Sequence, residues 1–533
     1  KGEKWYDPRT SNGEDENGEV VKRIREYKKM VWSNTLSYLT TFNNIHHLDF
    51  LAGYEIDDTY NDYLSGEAYN FTTPDKHAIS NGMKTVSVGG SDSRYRLVSY
   101  LSRLNYDYKN KYYLGASFRV DGSSRLHRDN RWGTFWSVSG AWRTIEEEFM
   151  QPVKDWLTDL RIRASYGVNG TLPSDYFGYM GLSSISGGYL EQPGIQMSQI
   201  ANPNLKWETN YNMNIGLDFG FWDRLNFTIE YYTRTTKNLL MDCPVSMTTG
   251  FSSYLMNIGE VKNKGIELTI NSTNIKIKDF NWNTTFNLGH NSNKVVKLDG
   301  EQTQIVSGTQ IHKVGSSYRT FYVQEFAGIN PETGNPLFYT NELDENGNYI
   351  KEITENSKNA QFIPYKHAEP TVNGGISNSL RYKWLDLNFL FSYQFGGYSY
   401  DTWAQKTEHG GYDSYANIPT YYRDSWKKPG DQTNIEVYMP GKSSSVSMHK
   451  ITSSRRIHST DYFRLKNITF GITLPKEWTN KINIGNVRFY ASASNLWTWA
   501  AYDNYDPEAV SAGSATQTTP PLKTVTFGLN INF

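Results

Sequence analysis

The last nine residues of the chain, 525–533, read VTFGLNINF and alternate apolar with polar or small side chains without a break. One parity holds Val525, Phe527, Leu529, Ile531 and Phe533. Because successive side chains of a β-strand point to opposite faces of a sheet, this pattern predicts a strand with one apolar and one polar face.

The same alternation recurs along the chain, most clearly over Leu160–Val168, Met213–Phe219, Leu225–Tyr231 and Leu387–Phe395. With their flanking residues, many of these runs last about 10–13 residues, whereas strands of soluble proteins typically last ~5–6 residues. A tilted membrane-crossing strand needs about 9–11 residues. The sequence therefore predicts an all-β fold, a transmembrane antiparallel β-barrel with about 16 strands over residues 1–533.

The composition narrows the classes of function. Lys and Arg number 54 and Asp and Glu 55, so the chain has no overall basic charge with which to bind nucleic acid. Cys243 is the single cysteine, which excludes an internal disulfide and a cysteine-rich zinc site. No apolar run approaches ~18 residues, which excludes a helical membrane protein. The aromatic content of 15% suits both a membrane barrel and a soluble carbohydrate-binding β protein.

The connections between the predicted strands alternate between short and long. Short links are predicted at Tyr106–Lys111, Gly220–Arg224, Ile275–Phe280 and Leu380–Leu385. Long extracellular loops are predicted at about 61–91, 171–205, 237–259, 294–369, 398–459 and 500–522. Short turns at one end and long loops at the other are typical of outer-membrane barrels.

Ten segments together resemble the SusC/RagA family of TonB-dependent outer-membrane transporters. They are Ser102–Tyr112, Asp121–Arg125, Arg131–Gly133, Ser137–Arg143, Leu160–Gly167, Asn263–Leu268, Phe463–Gly471, Ser494–Thr498, Tyr505–Glu508 and Pro520–Thr524. Their order and spacing carry the resemblance. It implies a 22-stranded barrel with an N-terminal plug. We expect this chain to be the C-terminal part of such a barrel, with the plug and first strands outside it.

The resemblance also implies a function and partners. Members of this family import oligosaccharides, and in some cases oligopeptides, across the Gram-negative outer membrane. A SusD-like surface lipoprotein covers the barrel, and TonB–ExbB–ExbD supplies energy through the plug and TonB box. The chain is therefore expected to be a carrier without a cofactor and not an enzyme. A rival interpretation from another class is a secreted, soluble glycan-binding or glycan-cleaving β protein.

Aromatic residues are concentrated in the predicted loop 398–459. The candidates for cargo binding are Trp403, Tyr412, Tyr415, Tyr421, Tyr422 and Trp426. Aromatic faces stack on sugar rings and also contact peptide side chains. The alternative is that these rings pack the loop against itself or against a lid protein. The loop 500–522 is a second candidate region because of Tyr502, Asp503, Tyr505 and Asp506.

Two further sets of residues receive predicted roles. By parity, Arg119 and Asp121 face the barrel interior, where they would bind cargo or hold the plug. Phe527, Leu529, Ile531 and Phe533 resemble the terminal signal by which barrels are recognised for assembly. The sequence predicts neither a catalytic residue nor a metal site.

Overall fold

The computed structural model describes residues 1–189, 192–298, 303–412, 417–441, 448, 450–479, 481, 484–516 and 518–532. The strands in chain order are β1 Gly2–Tyr6, β2 Glu19–Phe42, β3 His46–Phe71, β4 Gly82–Tyr108, β5 Tyr112–Ser123, β6 Trp132–Trp142, β7 Leu157–Thr171, β8 Leu182–Tyr189, β9 Gln192–Gln199, β10 Glu208–Phe221, β11 Leu225–Lys237, β12 Leu240–Pro244, β13 Ser253–Asn257, β14 Glu260–Lys276, β15 Phe280–Lys297, β16 Gln304–Ser307, β17 Gln310–Lys313, β18 Thr320–Gln324, β19 Phe326–Ile329, β20 Pro336–Tyr339, β21 Ile353–Thr354, β22 Phe362–His367, β23 Val372–Tyr382, β24 Leu385–Phe395, β25 Tyr398–Asp401, β26 Ile457–Ser459, β27 Tyr462–Thr473, β28 Asn486–Ala500, β29 Ser514–Ala515 and β30 Thr524–Asn532.

Helical structure is confined to short segments in the described part of the chain. The α-helices are α1 Thr402–Thr407 and α2 Lys476–Thr479. The 3-10 helices are Ile79–Asn81, Thr144–Glu146, Glu148–Val153, Met247–Thr249, Ser357–Asn359, Thr420–Asp424, Ser454–Arg456 and Pro507–Ala509. Among the residues that the structure describes, no helix has the length and apolar character needed to cross a membrane.

The chain divides into two compact units. The first unit comprises Lys1–Gly140, Tyr166–Tyr211 and Asn238–Ile258, and the second comprises Ala141–Ser165, Asn212–Lys237 and Gly259–Phe533. Among the described residues, sixteen strands belong to the large sheet, in agreement with the predicted count. In the first unit the hydrogen-bonded order is β1-β2-β3-β4-β5, and in the second it is β11-β14-β15-β23-β24-β27-β28-β30.

Alternation sets the faces of this sheet, as the pairing of β11 with β14 illustrates. Ile229 lies opposite Leu268, and Phe227 lies opposite Ile270, so apolar side chains meet on one face. Thr228 lies on the other face, where its hydroxyl donates to the carboxylate of Asp218 over 2.9 Å. The apolar face stays open to its surroundings, with Ile229 38% exposed. An all-β sheet with one apolar and one polar face is therefore confirmed.

The four predicted short turns are confirmed, but one predicted loop is wrong. Most of the predicted loop 61–91 is strand, because β3 continues to Phe71 and β4 begins at Gly82. The neighbouring strand β2 is similarly long. These strands have 24, 26 and 27 residues. Strand sections beyond a membrane need no apolar face, so their polar residues resembled a loop in the sequence.

The other predicted long links contain structure of their own. The β8–β9 hairpin lies within 171–205, and the β12–β13 hairpin within 237–259. Residues 294–369 hold the end of β15 and two small sheets, β16-β17-β18-β22 and β19-β20-β21. Links 398–459 and 500–522 share a third small sheet, β26-β25-β29, which joins segments about a hundred residues apart. Their extracellular position stays a prediction.

The exposed apolar row of β11 yields a test of membrane insertion. We expect Ile229→Arg to reduce the yield of folded barrel in outer membranes, since a cation at mid-membrane depth on a lipid-facing row costs ~2–4 kcal/mol. Ser377→Arg is the matched control, because Ser377 is an exposed residue on the polar face of β23. Heat-dependent gel mobility of membrane extracts measures the folded fraction. Equal folded fractions for the two variants would contradict this assignment of the faces.

Candidate functional site

A cavity of about 660 Å³ lies at the end of β28 in the second unit. Its lining comprises Asp401, Trp403, Thr498, Trp499, Ala500, Asp503, Asn504, Tyr505, Asp506, Pro507, Ala515, Thr516, Thr518 and Pro520. The rings of Trp403 and Trp499 are 41% and 49% exposed. Exposed indole rings beside carboxylates, hydroxyls and an amide provide both stacking surfaces and hydrogen-bonding groups. The cavity is therefore the candidate binding site.

Asp401 positions Trp403 in this cavity. One carboxylate oxygen of Asp401 accepts from the backbone N–H of Ala404 over 2.7 Å and so caps α1. The other oxygen accepts from the Tyr502 hydroxyl over 3.0 Å. The Thr402 hydroxyl donates to the carbonyl of Ala515 over 2.6 Å. The bonds with Tyr502 and Ala515 thus tie the helix that carries Trp403 to the link 500–522.

A buried arginine fixes the second wall of the cavity. Arg464 of β27 is 2% exposed, and its guanidinium contacts Asp506 over 2.6 Å and Glu508 over 2.5 Å. Its Nε donates to the hydroxyl of Thr498 over 3.0 Å. Charge-assisted bonds of this kind are strong, and removing one partner leaves a buried charge uncompensated. The turn that carries Asp506 is consequently attached to the barrel wall.

The structure separates the predicted aromatic candidates into two groups. Trp403 lines the cavity, and Tyr412 is exposed beside Lys450, whose ammonium lies 5.2 Å from the ring centre. Tyr421 donates its hydroxyl to Glu408, Tyr422 is only 4% exposed, and Trp426 donates to the carbonyl of Pro331 over 2.7 Å. Tyr421 thus contacts its own link, whereas Trp426 contacts the link 294–369. The role of these rings in cargo binding stays a prediction.

Tyr415 and Phe533 lie outside the described residues. Phe527, Leu529 and Ile531 share the apolar face of β30, with Phe527 81% exposed. Their role as an assembly signal stays a prediction.

Arg119 and Asp121 lie in the first unit and contact each other. Arg119 donates to Asp121 over 2.7 Å and to the hydroxyl of Ser99 over 2.8 Å, and Glu55 lies 3.5 Å away. Asp121 is 7% exposed. These charges compensate one another, which favours a part in a polar network of the wall. Their predicted binding of cargo or plug stays untested.

Sequence reasoning did not single out Trp499, Thr516 or Thr518. Trp499 lies near the end of an alternating strand. The sequence does not distinguish it from other aromatic residues at the rim of a barrel. The pairing of Asp401 with Ala515 in parallel strands β25 and β29 brings the segment that carries Thr516 and Thr518 to the cavity, and Trp499 lines the same cavity from β28. Both links, 398–459 and 500–522, contain several aromatic residues. In the sequence this was the only indication that they form a common site.

His458 of β26 lies in a buried, charged environment. Its ring stacks on that of Tyr502 with centres 3.7 Å apart and planes 3° from parallel. Burial lowers the pKa of His458 to about 4, against the opposing effect of Asp401 and with a further lowering by Arg456 and Arg455. The same burial raises the pKa of Tyr505 to about 12. Both side chains are therefore neutral at ordinary pH.

This environment predicts that the stability of the folded links 398–459 and 500–522 depends on pH. An exposed histidine titrates near 6.5, so the opened state binds more protons between about pH 6.5 and 4. The folded links should lose stability as pH falls through this window. We expect hydrogen exchange of Ile457–Ser459, corrected for intrinsic rates, to accelerate from pH 7 to pH 4.5.

His458→Phe should remove this acceleration, because phenylalanine can stack on Tyr502 without titrating. His290→Phe, at an exposed position of β15, is the matched control and should leave it in place. The same acceleration in the His458→Phe variant would refute the assignment to His458.

Comparison with known proteins agrees with this architecture. Residues 3–349 match the family model described as TonB dependent receptor-like, beta-barrel. The TonB-dependent receptor P3 of Formosa agariphila is 32% identical over 97% of this chain and 53% of its own length. The TonB-dependent receptor SusC of Bacteroides thetaiotaomicron is 30% identical over 89% of this chain and 47% of its own length.

A solved structure of the RagAB peptide transporter superposes with a TM-score of 0.85 at 27% identity. It covers 97% of this chain, which in turn covers 56% of the matched chain. The present chain thus spans about half the length of the relatives it matches.

Proposed function

We propose a transport function for this chain, which belongs to the TonB dependent receptor-like β-barrel family. It is an outer-membrane β-barrel protein. The rival interpretation as a soluble secreted β protein is wrong for that reason. Our proposal is that the chain forms the barrel part of an importer, which carries nutrient oligosaccharides across the Gram-negative outer membrane with energy from TonB–ExbB–ExbD.

The cavity around Trp403 is the observation that supports oligosaccharide cargo. Two exposed indole rings offer apolar faces to the C–H groups of sugar rings. Asp503, Asn504 and the threonine hydroxyls offer the mixed donors and acceptors that sugar hydroxyls require. SusC, one of the relatives, is named as a TonB-dependent receptor, consistent with an importer.

A surface lipoprotein of the SusD type is the proposed partner. The matched transporter structure is titled RagAB, and the present chain resembles one chain of it over most of its length. The links that form the cavity lie at one end of the strands, where a lid would close over bound cargo. Detergent extraction of outer membranes, with mass spectrometry of the proteins retained on this chain, tests the partnership. Repeated purification without a lipoprotein would count against it.

Oligopeptides are a second candidate cargo. The matched structures are titled as a peptide transporter and a peptide importer. The carboxylates and aromatic rings of the cavity would also suit basic and aromatic side chains. Mass spectrometry of cargo that remains bound after purification distinguishes oligosaccharides from oligopeptides.

Trp403→Ala tests the cavity as the cargo site. We expect the Kd for the retained cargo to rise about tenfold, equivalent to ~1.4 kcal/mol, because a stacking surface is lost. Trp478→Ala is the matched control, since Trp478 is 61% exposed on α2 and does not line the cavity. Isothermal titration calorimetry of the purified transporter measures both affinities. An unchanged Kd in Trp403→Ala would exclude Trp403 from cargo binding.

A further inference from the structure

The polar face of three neighbouring strands in the second unit carries no charge along most of its length. On β15, β23 and β24 this face presents Asn281, Asn283, Thr285, Asn287, Gly289, Asn291, Asn293, Asn373, Gly375, Ser377, Ser379, Asn388, Leu390, Ser392 and Gln394. The register places them together, with Asn287 beside Gly375 and Gly375 beside Ser392. On these strands, Arg381 and Asp386 carry charges of the same parity at the short-turn end. On the neighbouring strands, Glu267 lies opposite Gly289, and the buried Arg464, which is paired with Asp506 and Glu508, lies opposite Ser392.

Asn388 donates to the carboxylate of Asp386 over 3.4 Å at the short-turn end, and farther along this face the described hydrogen bonds join neutral groups. Thr269 donates to the side-chain oxygen of Asn287 over 3.0 Å, and Thr285 donates to that of Asn271 over 2.9 Å. Asn287 and Asn373 remain exposed. Amide groups both donate and accept, so the face can exchange hydrogen bonds with hydroxyl groups. It offers no counter-ion to a charged oligomer, and a carboxylate that loses water without a partner is costly.

The charges of the cavity also restrict which cargo can bind. Its described lining contains three aspartates and no lysine, arginine or histidine. Asp401 is bonded to Tyr502, and Asp506 is paired with Arg464. Asp503 is exposed and has no ionic partner in the described part of the chain. A cleft with an uncompensated carboxylate repels an anionic oligomer.

We propose that the cargo is an uncharged, hydroxyl-rich oligomer, and that the Asp503 cavity and the neutral face of β15, β23 and β24 together exclude polyanionic oligomers. This inference rests on the proposed function and specifies its cargo. The neutral face lies opposite the lipid-facing rows, so it borders the interior through which cargo would pass. An oligomer with a carboxylate on each sugar would be repelled at the cavity. It would then find no cation along most of the described neutral face to pair with its carboxylates.

The probe is a library of neutral hexose oligosaccharides, paired with the same library oxidised at C6 to uronates. Each pair keeps its length and linkages while hydroxyls become carboxylates. Uptake by cells and binding to the purified transporter are measured for both members. For the pairs that bind, we expect the neutral member to be taken up at least tenfold faster.

Lysine variants test where this discrimination arises. We expect Asp503→Lys and Asn287→Lys each to lower the neutral-to-anionic uptake ratio at least threefold. Asn373→Lys is a second variant of the neutral face, in case Asn287→Lys does not fold, and heat-dependent gel mobility reports folding. Asn346→Lys adds the same charge in an exposed turn and should leave the ratio unchanged.

Two results would overturn the inference. One is equal uptake of the neutral and oxidised members by the unmodified transporter. The other is an unchanged ratio in the folded lysine variants, which would mean that neither surface contacts moving cargo. If the proposed function itself is wrong, the result is different. Neither the neutral nor the oxidised library would then bind to the transporter or enter cells, whether or not the inner membrane is energised.

Discussion

Pairing of every backbone N–H and C=O group inside a hydrocarbon layer is the constraint on which the rest of this structure depends. Lipid offers no hydrogen bonds, so strands must pair along the whole depth of the membrane. In the large antiparallel sheet, the 18-residue strand β15 meets this requirement by pairing with β14 on one side and β23 on the other. Alternation follows, because one face must then be apolar and the other polar. The site depends on that alternation, since the polar face is where cargo can be bonded.

Ion pairs at the strand ends fix the irregular links to the regular strands. Arg464 belongs to a regular strand, yet its guanidinium is almost fully buried under Asp506 and Glu508. The cost of burying the charge is offset only while both carboxylates stay in place. The turn that begins at Asp506 is thereby fixed, and with it the wall facing Trp403. A binding surface built from irregular links thus acquires the rigidity of the barrel.

The parts of the structure that could be predicted from the sequence are those that follow from the two-residue side-chain period of a β-strand. β30, β11 and the two-residue turn at Trp222 and Asp223 are local consequences of strand geometry. The polar outer sections of β3 and β4 were assigned to a loop because paired strands in water need no apolar face. The cavity could not be predicted, since its lining joins two links that are brought together by a parallel pairing of β25 with β29. Such long-range pairing leaves no periodic trace in the sequence.

The polar face of the sheet is built in two ways. In the first unit, Arg119 is paired with Asp121, and Arg103 lies 3.1 Å from Asp49. Ion pairs of this kind hold neighbouring strands together. In the second unit, amides and hydroxyls such as Asn287 and Ser377 replace them over three strands. Paired charges fix one another strongly, whereas neutral amides exchange partners at little cost. A face across which a hydroxylated oligomer must move step by step is better built from the second kind of group.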